Sequence, residues 1–242
     1  MELYHFTSAE KFESILNSGV IRFSNSENID DPFERNRYSV ISGISGNPID
    51  EGKFLKYIKI IDDYLSFSKL LCFSTENDII NPVNDLKMWS HYGDWHKGVC
   101  LIFDEKNMHA NISHLYKELL YGKVEYKANI ERRIVFNTGA VTNTEEEAIE
   151  FIKALSKKRF FEKSSLYKDE REYRYVVLSD KKDASTISFL DNIKRVVLGE
   201  NMEMKKKKEL IKKLKSLTIP SGHMRVQLNE FMEMKIVYNY KE

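Results

Sequence analysis

Five short stretches set ionisable or polar aromatic residues among apolar ones. They are Tyr4-His5-Phe6-Thr7, Ile29-Asp30-Asp31-Pro32-Phe33-Glu34, Cys72-Phe73-Ser74, Met88-Trp89-Ser90-His91-Tyr92 with Trp95-His96-Lys97-Gly98, and Glu170-Arg171-Glu172-Tyr173-Arg174. The last offers the most chemistry. Residues two apart in a strand share a face, so Glu170, Glu172 and Arg174 line up if the strand already begins at Glu170. Neighbouring carboxylates push their titrations apart, and an adjacent guanidinium holds one ionised, which supplies an acid and a base in one place. The same row also reads as solvent-facing ion pairs at a strand start, worth only ~0–1 kcal/mol.

The other stretches carry the same ambiguity. His5 lies between Tyr4 and Phe6 and serves either as a ligand contact or as a satisfied structural histidine. Trp89, His91, Tyr92, Trp95 and His96 form either a ligand-contacting surface or a packed aromatic lid whose ring nitrogens find backbone partners. A metal site drawn from His91, His96, Asp30, Asp31 and Glu34 lacks a standard ligand spacing, so no metal is expected. Cys72 and Cys100 sit in apolar runs and read as small hydrophobes. No Gly-x-Ser-x-Gly elbow, Walker loop or Gly-x-Gly-x-x-Gly occurs.

These residues need a scaffold, and the apolar pattern predicts one. Glu2 to Phe6 reads as a strand. Ser8 then caps a helix with Phe12, Ile15 and Leu16 at helical spacing, stopped by Gly19. Val20 to Phe23 is a second short strand, followed by a polar loop through Pro32. Residues 51 to 70 carry helical periodicity (Phe54, Tyr57, Ile58, Ile61, Tyr64, Leu65), and a buried strand runs from Leu70 to Ser74. A short helix at Leu86 to Tyr92, an apolar strand at Gly98 to Phe103 and a strand at Lys123 to Tyr126 follow. Residues 145 to 162 read as an amphipathic helix, with strands at Glu172 to Leu178 and Ile193 to Leu198. A Lys-rich helix, Met202 to Leu217, precedes two strands around Met224 to Leu228 and Met234 to Tyr240. The strands and helices do not alternate steadily, which argues for an α+β fold with a mixed or mostly antiparallel sheet flanked by helices.

The chain has 242 residues, 42% hydrophobic, and no repeat or Pro/Gly/Ser linker, so one domain spanning 1–242 is expected. Lys+Arg 38 against Asp+Glu 37 leaves a net charge of +1, which names no partner. Two cysteines outside any Cys-x-x-Cys pair fit a reducing compartment. Met1 to Thr7 has no basic segment followed by an apolar one, and no apolar run reaches the ~18 residues that span a bilayer. A cytoplasmic protein without membrane contact is expected.

Taken in order, the five stretches, with Ile15-Leu16 and Gly19, resemble the bacterial family called domain of unknown function 2971. Asp30 stands where that family's loop usually has Asn, and Leu166 where a Trp usually precedes the Glu-x-Glu-x-Arg element. The Tyr-His-x-Thr strand followed by a helix ending Ile-Leu-x-x-Gly also looks like the opening of ADP-ribosyltransferase-fold proteins, including toxins that modify DNA. That second likeness implies an enzyme that cleaves NAD+ and passes ADP-ribose to a macromolecule, nucleic acid or protein, or to water, in the setting of a toxin or of phage defence. It implies that His5 binds a ribose hydroxyl and that Tyr92 or Trp89 stacks on nicotinamide. Glu172 would stabilise an oxocarbenium-like ribose, and Glu170 or Glu172 would activate the acceptor. Thr7, His91 and Arg174 join the NAD+ contacts, with Asp30, Asp31, Glu34 and His96 on the substrate side. Two alternatives remain. One is a non-catalytic ligand- or partner-binding domain; the other is a metal-dependent nuclease or hydrolase built on Asp30, Asp31, Glu34, Glu170 and Glu172. Convergence of His5, Tyr92 and Glu172 in one cleft favours the enzyme.

Overall fold

The computed structural model describes residues 1–29, 39–43, 51–77, 80–130, 133–137, 145–224, 226–228 and 234–236. Asp30, Asp31 and Glu34 lie outside the described residues, as do the side chains of Phe54 and Tyr57 and the end of the strand expected to reach Tyr240.

Local signals account for most of the elements. β1 (Glu2–Thr7) runs into α1 (Ala9–Ser18), where the Ser8 hydroxyl accepts from the Lys11 N–H and Gly19 closes the helix at φ 72°, donating to the Ile15 carbonyl. Next come β2 (Val20–Arg22), β3 (Ser24–Asn25), β4 (Ser39–Gly43), α2 (Glu51–Phe67) and β5 (Lys69–Thr75). Asp85 caps the short α3 (Leu86–His91), and β6 (Val99–Asp104) follows. Asp104 then caps α4 (Glu105–Leu115), a helix absent from the sequence reading. The next elements are β7 (Leu119–Lys123), β8 (Glu125–Lys127), β9 (Arg133–Asn137), α5 (Glu145–Phe161), β10 (Glu162–Ser164) and β11 (Glu172–Val177). The chain continues with β12 (Thr186–Ser188), β13 (Ile193–Leu198), α6 (Met204–Ser216), β14 (Ser221–His223), β15 (Val226–Leu228) and β16 (Met234–Ile236).

The main sheet has the order β14-β13-β6-β1-β5-β11-β7, with β3 beside β5. Within it only β13 and β14 pair in parallel; the other pairs are antiparallel, as the α+β reading expects. One join is incomplete. β1 pairs with β6 along its whole length, from Glu2↔Asp104 to Thr7↔Val99, but meets β5 only at Leu3↔Thr75 and Tyr4↔Ser74. β11 occupies the other edge of β5, so β3, paired at Ser24↔Leu70 and Asn25↔Lys69, takes up the same edge that β1 leaves. The sheet is therefore split beyond Tyr4.

Side-chain alternation divides the core accordingly. One face carries a continuous apolar cluster from Leu3, Phe73, Phe103, Tyr175 and Val196, covered by Phe12 of α1, Met108 and Ile112 of α4 and Leu210 and Leu214 of α6. The opposite face carries two separate clusters. Leu70, Leu120 and Val176 pack under Ile61 and Leu65 of α2 and Ile152 and Phe160 of α5. Tyr4, Phe6, Cys100, Ile102 and Val197 pack under Met88 and Trp89 of α3. Polar side chains of β5 and β11 fall between them. No helix among the described residues is long and apolar enough to cross a membrane.

Candidate functional site

The split opens a cleft of about 1090 Å³, lined by Tyr4 to Thr7 of β1, Leu70 to Ser74 of β5, residues of α1 and β2, and His91, Tyr92, Lys163, Glu170, Glu172 and Arg174. This exceeds the ~300–1,000 Å³ of an ordinary small-ligand pocket.

Its polar centre is a four-residue ion cluster. Alternation on β11 puts Glu172 and Arg174 on the face opposite Tyr173 and Tyr175. The guanidinium grips the carboxylate with two bonds, Nε to Oε2 at 2.7 Å and Nη2 to Oε1 at 2.9 Å, while Nη1 donates to the Phe160 carbonyl at 2.9 Å. Lys163 on β10 donates to Glu172 Oε1 at 2.7 Å and to Glu170 Oε2 at 2.6 Å. Side-chain exposures of 6% for Lys163, 12% for Glu170, 9% for Glu172 and 3% for Arg174 make this a desolvated lattice, in which removing one charge strands another. β10 reaches the site by pairing in parallel with β8, in the register Lys163↔Tyr126. The Tyr126 hydroxyl in turn accepts the Glu172 N–H at 2.9 Å.

Glu170 arrives by a different route from the one expected. The strand begins at Glu172, not Glu170: residues Ser165–Glu170 form a 3-10 turn and Arg171 adopts a left-handed conformation, φ 47°. That kink, rather than strand alternation, turns both carboxylates onto Lys163. The turn is fixed by Ser74 Oγ donating to the Glu170 carbonyl at 2.7 Å and by Arg171 Nη2 on Asp85 Oδ2 at 3.0 Å. The Tyr92 hydroxyl, at the end of α3, donates to Glu170 Oε1 at 2.6 Å.

The two acids are driven apart. Burial pushes both upward, but the Arg174 and Lys163 charges outweigh it at Glu172 and hold that carboxyl well below the usual range. At Glu170 burial prevails over Lys163 and Tyr92, and the pKa rises above its ordinary 4.5. Burial and the Glu170 charge raise the Tyr92 phenol in turn. Across the split, His5 Nδ1 lies 2.9 Å from the Cys72 carbonyl, which can only accept, so Nδ1 carries the proton. Burial lowers the His5 pKa, favouring the neutral ring with Nε2 as an acceptor. His5 shares the sheet face of Leu3, opposite Glu172, and both reach one cleft because the cleft passes between the strands.

The cleft thus brings together His5, Thr7, His91, Tyr92, Glu170, Glu172 and Arg174. Trp89 and His96 are not among its lining residues. Trp89 is fully buried, packs edge-on against Phe6 at 5.1 Å and donates Nε1–H to the Val83 carbonyl at 2.8 Å, which leaves no ring face for nicotinamide. His96 stacks on Trp89 and contacts Ser90 Oγ through Nε2 at 3.2 Å, a structural role in a turn. Among the described residues no group of three or more His, Cys, Asp or Glu could hold a metal ion. Sequence reasoning missed Lys163, Tyr126 and Tyr167, whose ring lies 4.6 Å from the Lys163 ammonium. The signal for Lys163 was arithmetic: two acids and one arginine facing one buried site leave a carboxylate in want of a second cation, without identifying which.

Residues 88–175 match the model of a family described as "Protein of unknown function (DUF2971)", a stretch that includes Met88 to Tyr92 and Glu170 to Arg174. No curated protein matches the chain. Among solved structures, Thermus sp. 2.9 DarT in complex with ADP-ribosylated ssDNA is similar over 90% of this chain and 88% of that one, at 9% identity and a TM-score of 0.34.

Proposed function

We propose that the chain is an ADP-ribosyltransferase-like enzyme that binds NAD+ in the cleft and transfers ADP-ribose to a macromolecule or to water. The observation that carries this reading is the pair of carboxylates on one lysine, Glu172 held well below the usual carboxylate range and Glu170 raised above it, at the wall of a cleft large enough for a dinucleotide. The C1′–N bond to nicotinamide breaks, its electron pair leaves with the neutral base, and the oxocarbenium-like ribose is captured by an acceptor O–H or N–H. Glu170 takes the acceptor's proton, with Tyr92 beside it at 2.6 Å. Glu172, with both oxygens engaged by Arg174 and Lys163, keeps Lys163 and therefore Glu170 in place. The neutral His5 accepts a ribose hydroxyl at Nε2. Toxin or phage-defence activity would follow from such a transfer to a cellular macromolecule.

That full engagement of Glu172 also favours a second reading, a non-catalytic ligand-binding domain in which the ion cluster braces the cleft wall. Incubation with isotope-labelled NAD+, alone and with DNA, RNA or cell lysate, separates the two. Nicotinamide release that falls about 10²- to 10⁴-fold in Glu170→Gln supports the enzyme. Silence of the folded chain under every condition overturns it in favour of the binding domain.

A further inference from the structure

Helix α6 carries seven lysines and a single acid, Glu209, in a chain whose net charge is only +1. Three of the seven have structural work. Lys207 is buried with its ammonium on the Glu200 carbonyl, Lys206 pairs with Glu13, and Lys213 donates to Asn17. The last two fasten α6 to α1, while Leu210 and Leu214 enter the core. The other four, Lys205, Lys208, Lys212 and Lys215, are exposed and make no ion pair among the described residues. Their 3-4-3 spacing puts them in one stripe about 15 Å long.

Like charges at these spacings repel and weaken the helix that holds them, so the row is unfavourable until a polyanion neutralises it. We propose that this stripe is a docking surface for the phosphate backbone of nucleic acid. A lipid-surface helix turns bulky apolar residues outward among its lysines. Here the apolar stripe is committed to the core, and Met204 alone, at the first position, is an exposed large hydrophobic on α6. The lysines stand on a helix anchored by its buried side, and their regular row matches a charged polymer. The docking itself does not rest on the cleft's chemistry.

Fluorescence anisotropy of the full chain with a labelled duplex of arbitrary sequence tests this without NAD+. Four phosphate contacts give a slope of log K against log salt near −3.6, a loss of roughly 150-fold in affinity between about 50 and 200 mM salt. Changing Lys205, Lys208, Lys212 and Lys215 together to Gln should abolish that binding while the thermal unfolding temperature holds or rises, since the repulsion within the row is removed. The same change at the exposed Lys97, Lys117, Lys123 and Lys157 should leave most of it. Three results would overturn the proposal: no salt-dependent binding by the unsubstituted chain, equal losses in both quadruple variants, or phosphatidylserine vesicles that bind the stripe in preference to the duplex.

Discussion

Replacing Lys163 by Met keeps the apolar stem and deletes the ammonium that joins Glu170 and Glu172 at 2.6 and 2.7 Å. Arg174 still holds Glu172, so the stranded group is Glu170, which keeps only the Tyr92 hydroxyl. Breaking a buried ion pair by removing one partner costs about 3–5 kcal/mol, and the remaining bonds put this case near 3. For a chain of this size that lowers the unfolding temperature by roughly 6–12 °C. The loss must also depend on pH. Glu170 already titrates above 4.5, and Lys163 is among the groups that lower it, so the variant raises it further. A carboxyl whose folded pKa is raised contributes stability that is full below its unfolded pKa and is lost as pH rises through the folded value. The variant's deficit should therefore be smaller toward about pH 5 and grow toward about pH 8, as the stranded Glu170 loses its proton. Thermal and urea unfolding at both ends of that range measure it. A deficit under about 1 kcal/mol, of the size of an exposed pair, or one that does not change with pH, would refute the buried-lattice account.

Tyr92→Phe removes the hydroxyl that lowers the Glu170 pKa, so the acid limb of the nicotinamide-release profile should move to higher pH, with about 1 kcal/mol of stability lost; an unmoved profile would separate Tyr92 from the proton-transfer step. Gly98→Ala should cost about 1–3 kcal/mol in denaturant unfolding, because its Cβ would stand 2.2 Å from the Thr7 carbonyl oxygen and 2.9 Å from that of Gly93; wild-type stability would mean that the β1–β6 junction is looser than described.

By itself the sequence determined what short-range physics controls. Ser8 and Gly19 bound α1 because a hydroxyl can satisfy a free helical N–H and a glycine can adopt positive φ without strain. The apolar runs of β5, β6 and β11 announced buried strands. The motif residues His5, Tyr92, Glu170, Glu172 and Arg174 were visible as polar groups in apolar settings, and all of them line one cleft. The sequence could not tell Trp89 in the core from Tyr92 at the cleft, since residues three apart share one side of a short helix, and only the packing buries Trp89 fully while leaving Tyr92, at the C-terminal cap, exposed. The tertiary structure alone decided the rest. The split between β1 and β5 depends on where β3 pairs, a contact about 45 residues distant in the chain, and that split lets His5 and Glu172 meet one cleft from opposite faces. The kink at Arg171 and the arrival of Lys163 on a three-residue strand bring the two carboxylates onto one ammonium. Their opposite shifts arise from that burial and those partners, and neither is a property of Glu-x-Glu-x-Arg as a string.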